Sequence, residues 1–243
     1  MDGEAAIHIK DSEVLRICLD IWDTDKDGFI TEDEAATQKL ISHLTFSENA
    51  NIISFDEFKY FNFISSSNSL FLGCTSLRSI ELPINENIRY KYFYGCSSLE
   101  RCIVGNKCTT IGKQAFHQCI SLKKISIPDS VISIEGNAFN GTSLHEFVYP
   151  SGITVVDGLA ENPNLAFIEI KGKNVVSVSG MNLCPALDTL IINSEIPPTT
   201  DYWTLRDSKI PNIYVPDTSV NVYKTSNGWS KWATYIKPMS ERP

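Results

Sequence analysis

Apolar positions between Phe71 and Ile192 fall into one recurring phrase: a leucine, then apolar side chains three and five residues on. Its copies are Leu77-x-x-Ile80-x-Leu82, Leu99-x-x-Cys102-x-Val104, Leu122-x-x-Ile125-x-Ile127, Leu144-x-x-Phe147-x-Tyr149, Leu165-x-x-Ile168-x-Ile170 and Leu187-x-x-Leu190-x-Ile192. The six leucines are spaced by 22, 23, 22, 21 and 22 residues. Side chains two apart return to one face of a short strand. A unit of this length cannot bury its apolar face alone, so the period predicts stacked coils whose strands form a parallel sheet. A second apolar pair follows each phrase, as in Cys108/Ile111, Val131/Ile134, Ile153/Val156 and Val175/Val178. Three residues before the first three leucines stands a cysteine (Cys74, Cys96, Cys119), and three before that an aromatic (Phe71, Phe93, Phe116). The fourth coil is shortened between Phe139 and Leu144. The fifth has Asn162-Pro163-Asn164 at the cysteine corner, and the sixth returns to Cys184.

Outside the array the pattern changes. Residues 13–22 place Val14, Leu15, Cys18, Leu19 and Trp22 at helical spacing. After them comes Asp23-x-Asp25-x-Asp27-Gly28-Phe29-Ile30-Thr31-x-x-Glu34, the spacing of an EF-hand calcium loop. Asp23, Asp25 and Asp27 can bring three carboxylates to one hard cation while Gly28 allows the sharp turn. Phe29 offers its carbonyl, Thr31 a hydroxyl or bridging water, and Glu34 a bidentate carboxylate. One bound Ca2+ is therefore expected. Residues 32–44 read as the outgoing helix, with Leu40, Ile41 and Leu44 on its apolar side. Residues 46–57 resemble the second half of a paired loop, with Ile53 and Glu57 at its positions 8 and 12. Phe46 and Ala50 stand where carboxylates are needed, so this segment is expected to be a metal-free partner pairing its strand with the first loop. Residues 61–70 read as a polar hinge or an imperfect first coil. Past Ser194 the phrase dissolves, leaving a strand around Ile213-Tyr214-Val215, a short helix near 219–224 and the pair Trp229, Trp232. These fit a terminal cap over 194–243. The domains expected are a helical EF-hand-like segment over 1–66 and a solenoid over 67–243.

The phrases Phe93-Tyr-Gly-Cys-Ser-Ser-Leu99, Ile111-Gly-Lys-Gln-Ala-Phe116 and Ile125-Ser-Ile-Pro-Asp-Ser-Val131 resemble those of the BspA-like leucine-rich repeat proteins of bacterial cell surfaces. So does the ending Ile213-Tyr-Val-Pro-Asp217 with Gly228-Trp229 and Ile236-Lys-Pro-Met239. Some members carry an N-terminal calcium-loop segment like residues 13–61. The resemblance implies an α+β leucine-rich-repeat solenoid of about six coils. It also implies an exported, surface-associated or secreted binding and adhesion protein without enzymatic activity. The start, Met1-Asp2-Gly3-Glu4, is not a secretory signal. The expected extracytoplasmic location therefore presumes a removed leader, with a cytoplasmic protein as the other reading.

Charge narrows the partners. Of a net −8, residues 1–60 carry −9, with 14 acidic against 5 basic residues. Such a balance argues against nucleic acid, whose phosphates need a basic face. No apolar run reaches the roughly 18 residues of a membrane span. The expected partner is a protein or glycan, including host surface or matrix components, bound on the solvent side of the repeat sheet. Alternation places Arg101, Lys124, Glu146 and Phe167 in one outward column and Ile103, Val148 and Ile191 in another, a mixed apolar and charged surface. A dockerin-like module, contacting a partner through the calcium segment, is the alternative, though a dockerin needs two intact loops. No pair among the seven cysteines has Cys-x-x-Cys spacing, so they read as free structural thiols and not as a zinc or redox site. The histidines His8, His43, His117 and His145 are scattered, and His117-Gln118-Cys119 combines a turn residue with a ladder cysteine. No catalytic residue is expected.

Overall fold

The computed structural model describes residues 5–37, 39–65 and 68–242. All six phrase leucines are fully buried. Five of the phrases form strands: Ser79–Glu81, Arg101–Ile103, Glu146–Tyr149, Phe167–Ile170 and Thr189–Ile192. Neighbouring coils pair in parallel at the register the phrase predicts, Ile80 with Cys102, Phe147 with Ile168, and Ile168 with Leu190. The second apolar pair makes two-residue strands on the other side of each coil, such as Ser133–Ile134 and Ser177–Val178.

Inside the coils, one aromatic ring per turn lies on the next. Phe46, Phe71, Phe93, Phe116 and Phe139 stack at centroid separations of 5.2, 5.5, 5.1 and 5.1 Å. Each such pair contributes about 0.5–1.5 kcal/mol beyond burial. Beside this spine the corner cysteines each donate to a carbonyl one coil back: Cys74 to Phe46 (3.0 Å), Cys96 to Phe71 (3.0 Å), Cys119 to Phe93 (3.2 Å) and Cys184 to Leu159 (3.3 Å). Asn162 holds the same corner in the fifth coil. Its Nδ2 reaches the carbonyls of Phe139 (2.9 Å), Leu159 (2.8 Å) and Ala160 (3.2 Å). Its Oδ1 accepts from the Thr142 hydroxyl, which fills the corner that the shortened fourth coil leaves.

The third phrase departs from the others. No strand forms over Lys124–Ile127, and Ile125 and Ile127 are only half-buried. The main sheet is therefore in two pieces. The residue missing from coil four falls between Phe139 and Leu144, yet its phrase keeps the common register against coil three. The ladder between them runs through Ser143 N to Leu122 O (3.1 Å) and a long His145 N to Lys123 O contact (3.4 Å).

The N-terminal quarter differs from expectation. Phe46, Ile52 and Phe55 repeat the spacing of Phe71, Leu77 and Ile80. Ser54–Phe55 pairs in parallel with Ser79 and Ile80. Residues 46–57 are thus a coil of the array and not an EF-hand partner, because a sheet edge and an aromatic stack offer these side chains more burial than a lone loop could. The calcium-type loop bridges elsewhere: Ala6 pairs antiparallel with Thr31, and Ile7 N donates to Ile30 O at 2.7 Å. The first helix, α1, is Ser12–Ile21, and the second, α2, is only Glu32–Ala36. The helix expected over 32–44 stops because the chain turns into a strand, Lys39–Ile41, paired in parallel with Phe63–Ser65. Five helical residues cannot outweigh that pairing. Leu44, expected on the helix's apolar side, is 73% exposed. Residues 61–70 take part in a coil through this pairing and through Ser69 N to Tyr90 O (2.8 Å); 66 and 67 lie outside the described residues. One buried carboxylate joins the helical part to the array. Asp11 Oδ1 caps α1 at Glu13 N and Val14 N (3.0 Å each), and Oδ2 accepts from Ile53 N (2.7 Å) and Ser54 N (3.0 Å) at the sheet edge.

At the other end, Ile210-x-x-Ile213-x-Val215 proves to be a seventh phrase, 23 residues after Leu187. Its strand Asn212–Val215 pairs with Thr189–Ile192, and Ile236–Pro238 adds a further parallel strand. Between these two strands lies the helix α3 (Val220–Thr225), and Trp229 Nε1 donates to Pro198 O at 2.6 Å.

Candidate functional site

The acidic loop brings oxygens of Asp23, Asp25 and Asp27 within 4.8 Å of one another. Three backbone amides hold them there: Gly28 N to Asp23 Oδ2 (3.1 Å), Asp27 N to Asp25 Oδ1 (3.2 Å) and Phe29 N to Asp27 Oδ1 (2.9 Å). Gly28 has φ +87°, a conformation that favours glycine. The other oxygen of Asp23, Oδ1, is buried without a hydrogen-bond partner. A buried anionic oxygen lacking a donor suits a hard cation. Glu34 closes the loop. Its Oε1 accepts from Thr24 N (2.8 Å) and Oγ1 (3.0 Å), its Oε2 from Thr31 N (3.0 Å) and Oγ1 (3.1 Å). Burial works to raise its pKa, but these bonds outweigh it and hold the carboxyl down at about 2. Both Glu34 oxygens are thus engaged by Thr24 and Thr31, so bidentate ligation would compete with those donors.

On the outward face of the sheet, Arg101, Lys124 and Glu146 are exposed, Phe167 and Val148 are half-buried and Ile103 is 44% exposed. Register places Phe167 beside Glu146 and Val148 beside Glu169. Ile191, expected in the exposed apolar column, is fully buried: it stands between Glu169 and Tyr214, and the tyrosine of the seventh coil extends the sheet past it. Arg101 is not a free charge either. It bridges Asp56 at 3.0 Å and also pairs with Glu81, which Lys59 holds at 2.7 Å. Lys59 first, then Arg101, keep the Glu81 carboxyl below its ordinary range. Lys124 and Glu146 pair at 3.2 Å in the open, where such a contact contributes little.

Residues 39–161 match the BspA type Leucine rich repeat region in six copies, half of the chain, and the match starts at the strand Lys39–Ile41. The chain belongs to the BspA-type leucine-rich repeat family. Among solved structures it is similar to a leucine-rich repeat protein from Bacteroides ovatus (22% identity, TM-score 0.54), over 66% of this chain and 45% of that one. The chain thus spans less than half the length of that relative, and the likeness concerns the fold. A leucine-rich repeat protein from T. pallidum is 27% identical over 61% of this chain and 71% of its own, with a TM-score of 0.49. No curated protein sequence matches the chain. A BspA-type scaffold carries a protein-binding or surface role and is typically non-enzymatic, and such proteins are typically surface-located or secreted. Among the described residues no helix is long and apolar enough to cross a membrane.

The seven thiols, six in this BspA-type array and Cys18 on α1, are free and buried. Burial pushes Cys74 up to about 12 and Cys184 up to about 11, and raises Cys18, Cys96, Cys102, Cys108 and Cys119 as well. Thiolate is the reactive form. The native protein is therefore expected to react with an aromatic disulfide reagent over hours and to release all seven equivalents at once in denaturant. A fast equivalent from the native chain would contradict the ladder. His117 leans on Tyr94 (centroids 5.0 Å apart), and burial lowers its pKa. Its neighbour Cys119 points its sulfur at the Phe93 carbonyl instead, so the two form no nucleophile–base pair. Sequence patterning missed the Asp11 joint, and it missed a cleft where the N-terminal strand passes the sheet, because both depend on contacts between distant segments.

Proposed function

We propose that this BspA-type chain is an exported, non-enzymatic adhesion or binding protein that presents the outward face of its repeat sheet to a protein or glycan. The observation that carries this reading is the run of side chains from adjacent strands at fixed register. Glu146 and Phe167 lie side by side, Val148 lies beside Glu169, and Lys124 pairs with Glu146 at the near end. Alternating charge and partly exposed apolar surface is the composition of a recognition face and not of a packed core. In this reading the helical N-terminal segment closes the array and takes one calcium ion at Asp23, Asp25, Asp27, Thr31, Glu34 and the Phe29 carbonyl. A dockerin-like role needs two calcium loops, and the second candidate segment lies in the stack, leaving one loop for it.

Immobilised matrix proteins and polysaccharides, probed with calcium and with chelator, test the proposal. Saturable binding is expected, and the double reversal Lys124→Glu, Glu146→Lys should weaken it while leaving the melting temperature unchanged. Arg101 is unsuitable for reversal, since a glutamate there would face Asp56 and Glu81. Binding indifferent to the double reversal but lost in Asp23→Asn would move the site to the helical segment.

A further inference from the structure

Residues 5–10 run past the first coils and enclose a cleft of about 780 Å3, a volume suited to a small-molecule or side-chain ligand. Its floor is the 3-10 turn Asp56–Tyr60 and the start of the main sheet. The charges on that floor are largely settled among themselves: Arg101 joins Asp56 and Glu81, and Lys59 joins Glu81. Glu57 is the exception. It lines the same cleft, is only 8% exposed, and its Oε2 has no hydrogen-bond partner. A buried carboxylate oxygen without a donor is a costly arrangement, relieved when a charged N–H reaches it. Tyr60, 41% exposed on the same wall, already holds the Lys59 ammonium 5.3 Å from its ring centroid, so a second cation there shares the ring with Lys59.

We infer that this cleft is a binding site for the basic side chain of a peptide, an alkylammonium or guanidinium group directed at Glu57 with its aliphatic stem along Tyr60. The neutral Asp56–Arg101–Glu81–Lys59 network supplies both donors and acceptors at the rim, which suits the amides flanking such a side chain. The site goes beyond the sheet-face reading, with which it shares the outward residues Ser79, Glu81 and Arg101 at one end of the sheet.

Calorimetric titration of the full chain with N-acetyl, C-amidated Gly-Lys-Gly, Gly-Arg-Gly and Gly-Gln-Gly tests it. The basic peptides should bind roughly tenfold or more tighter than the glutamine peptide, the usual reach of a charge-assisted hydrogen bond. Glu57→Gln should erase that preference. Tyr60→Ala, checked by its melting temperature against the parent, should weaken the basic peptides several-fold. The Lys124→Glu, Glu146→Lys chain should keep the peptide, even where it loses a ligand of the sheet, which separates failure of one site from failure of the other. Equal binding of all three peptides, a preference that survives Glu57→Gln, or displacement of the peptide by calcium chloride would overturn the inference.

Discussion

Replacing Asn162 with alanine is expected to destabilise the array by about 2–4 kcal/mol, because the buried Phe139 carbonyl loses its donor and the buried Thr142 hydroxyl its acceptor, at about 1–3 kcal/mol each, while Leu159 and Ala160 keep Cys184 and Gly141. Asn162 is fully buried and serves Phe139, Leu159, Ala160 and Thr142, so it ties the fourth coil, the fifth and their shared corner. In a solenoid, stability is close to a sum of coil and interface contributions. A weakened interface in mid-array is therefore expected to lower the melting temperature by roughly 5–15 °C and to broaden or split the transition. Asn162→Cys is the informative companion. A thiol there can donate to the Phe139 carbonyl as Cys184 does to that of Leu159, so part of the loss should return. Circular dichroism melts and denaturant titrations read both variants. An Asn162→Ala chain within about 0.5 kcal/mol of the parent would remove the corner ladder from the account.

Calcium is expected to have the other large effect. At a hundredfold excess over its dissociation constant, one ion bound only by the folded chain adds about 2.7 kcal/mol. Chelation should then lower the melting temperature by roughly 5–10 °C. Asp23→Asn should abolish the difference, since the unpartnered Oδ1 of Asp23 is the oxygen most in need of a cation. Glu34→Ala should do so too, but it also removes the Thr31–Glu34 capping box and so lowers stability even in chelator. Acid reports on Glu34 independently of metal. Its carboxyl is held down at about 2, so its contribution is complete above the usual value near ~4.3 and is lost as pH falls through about 2. The effect should be modest, since the group is largely solvent-accessible and screened. Identical melts with calcium and with chelator would take the ion out of the account.

The six leucine phrases were legible because each buried side chain repeats a fixed spacing, and local order and stacking demand the same residues. The ends were harder to read, for particular reasons. Phe46 and Ile52 belong to a coil that lacks the corner cysteine, with Asn49 in its place, and whose phrase stands 25 residues from the next. The Ser54–Glu57 stretch also matches half of a calcium loop, and spacing alone could not choose between them. The seventh phrase has isoleucine for leucine and a proline inside it, Ile210-Pro211-Asn212-Ile213. Ile125-x-Ile127 reads as a strand like the others, but its one backbone contact to coil four at the common register is long, His145 N to Lys123 O at 3.4 Å, which spacing does not show. Ile191 alternates outward as expected and is nevertheless buried, because Tyr214 arrives beside it from a coil that the pattern had not counted. On the acidic loop, residue order and geometry agree over the three aspartates. The engagement of Glu34 by Thr24 and Thr31 could be seen only in three dimensions. Glu57 stands at the twelfth position of a half loop in the sequence, and its place in the cleft could not be read from the chain, since that cleft joins residues 5–10 to coils ending at Arg101.

The most direct test of the sheet-face reading is amide hydrogen exchange on the full chain, free and bound to whichever matrix protein or polysaccharide the panel yields. The account predicts new protection in peptides spanning 101–103, 124–127, 146–149 and 167–170, with the acidic loop protected by calcium alone. Protection confined to the exposed Tyr202 and Trp203 near the other end, or to residues 23–34, would contradict it.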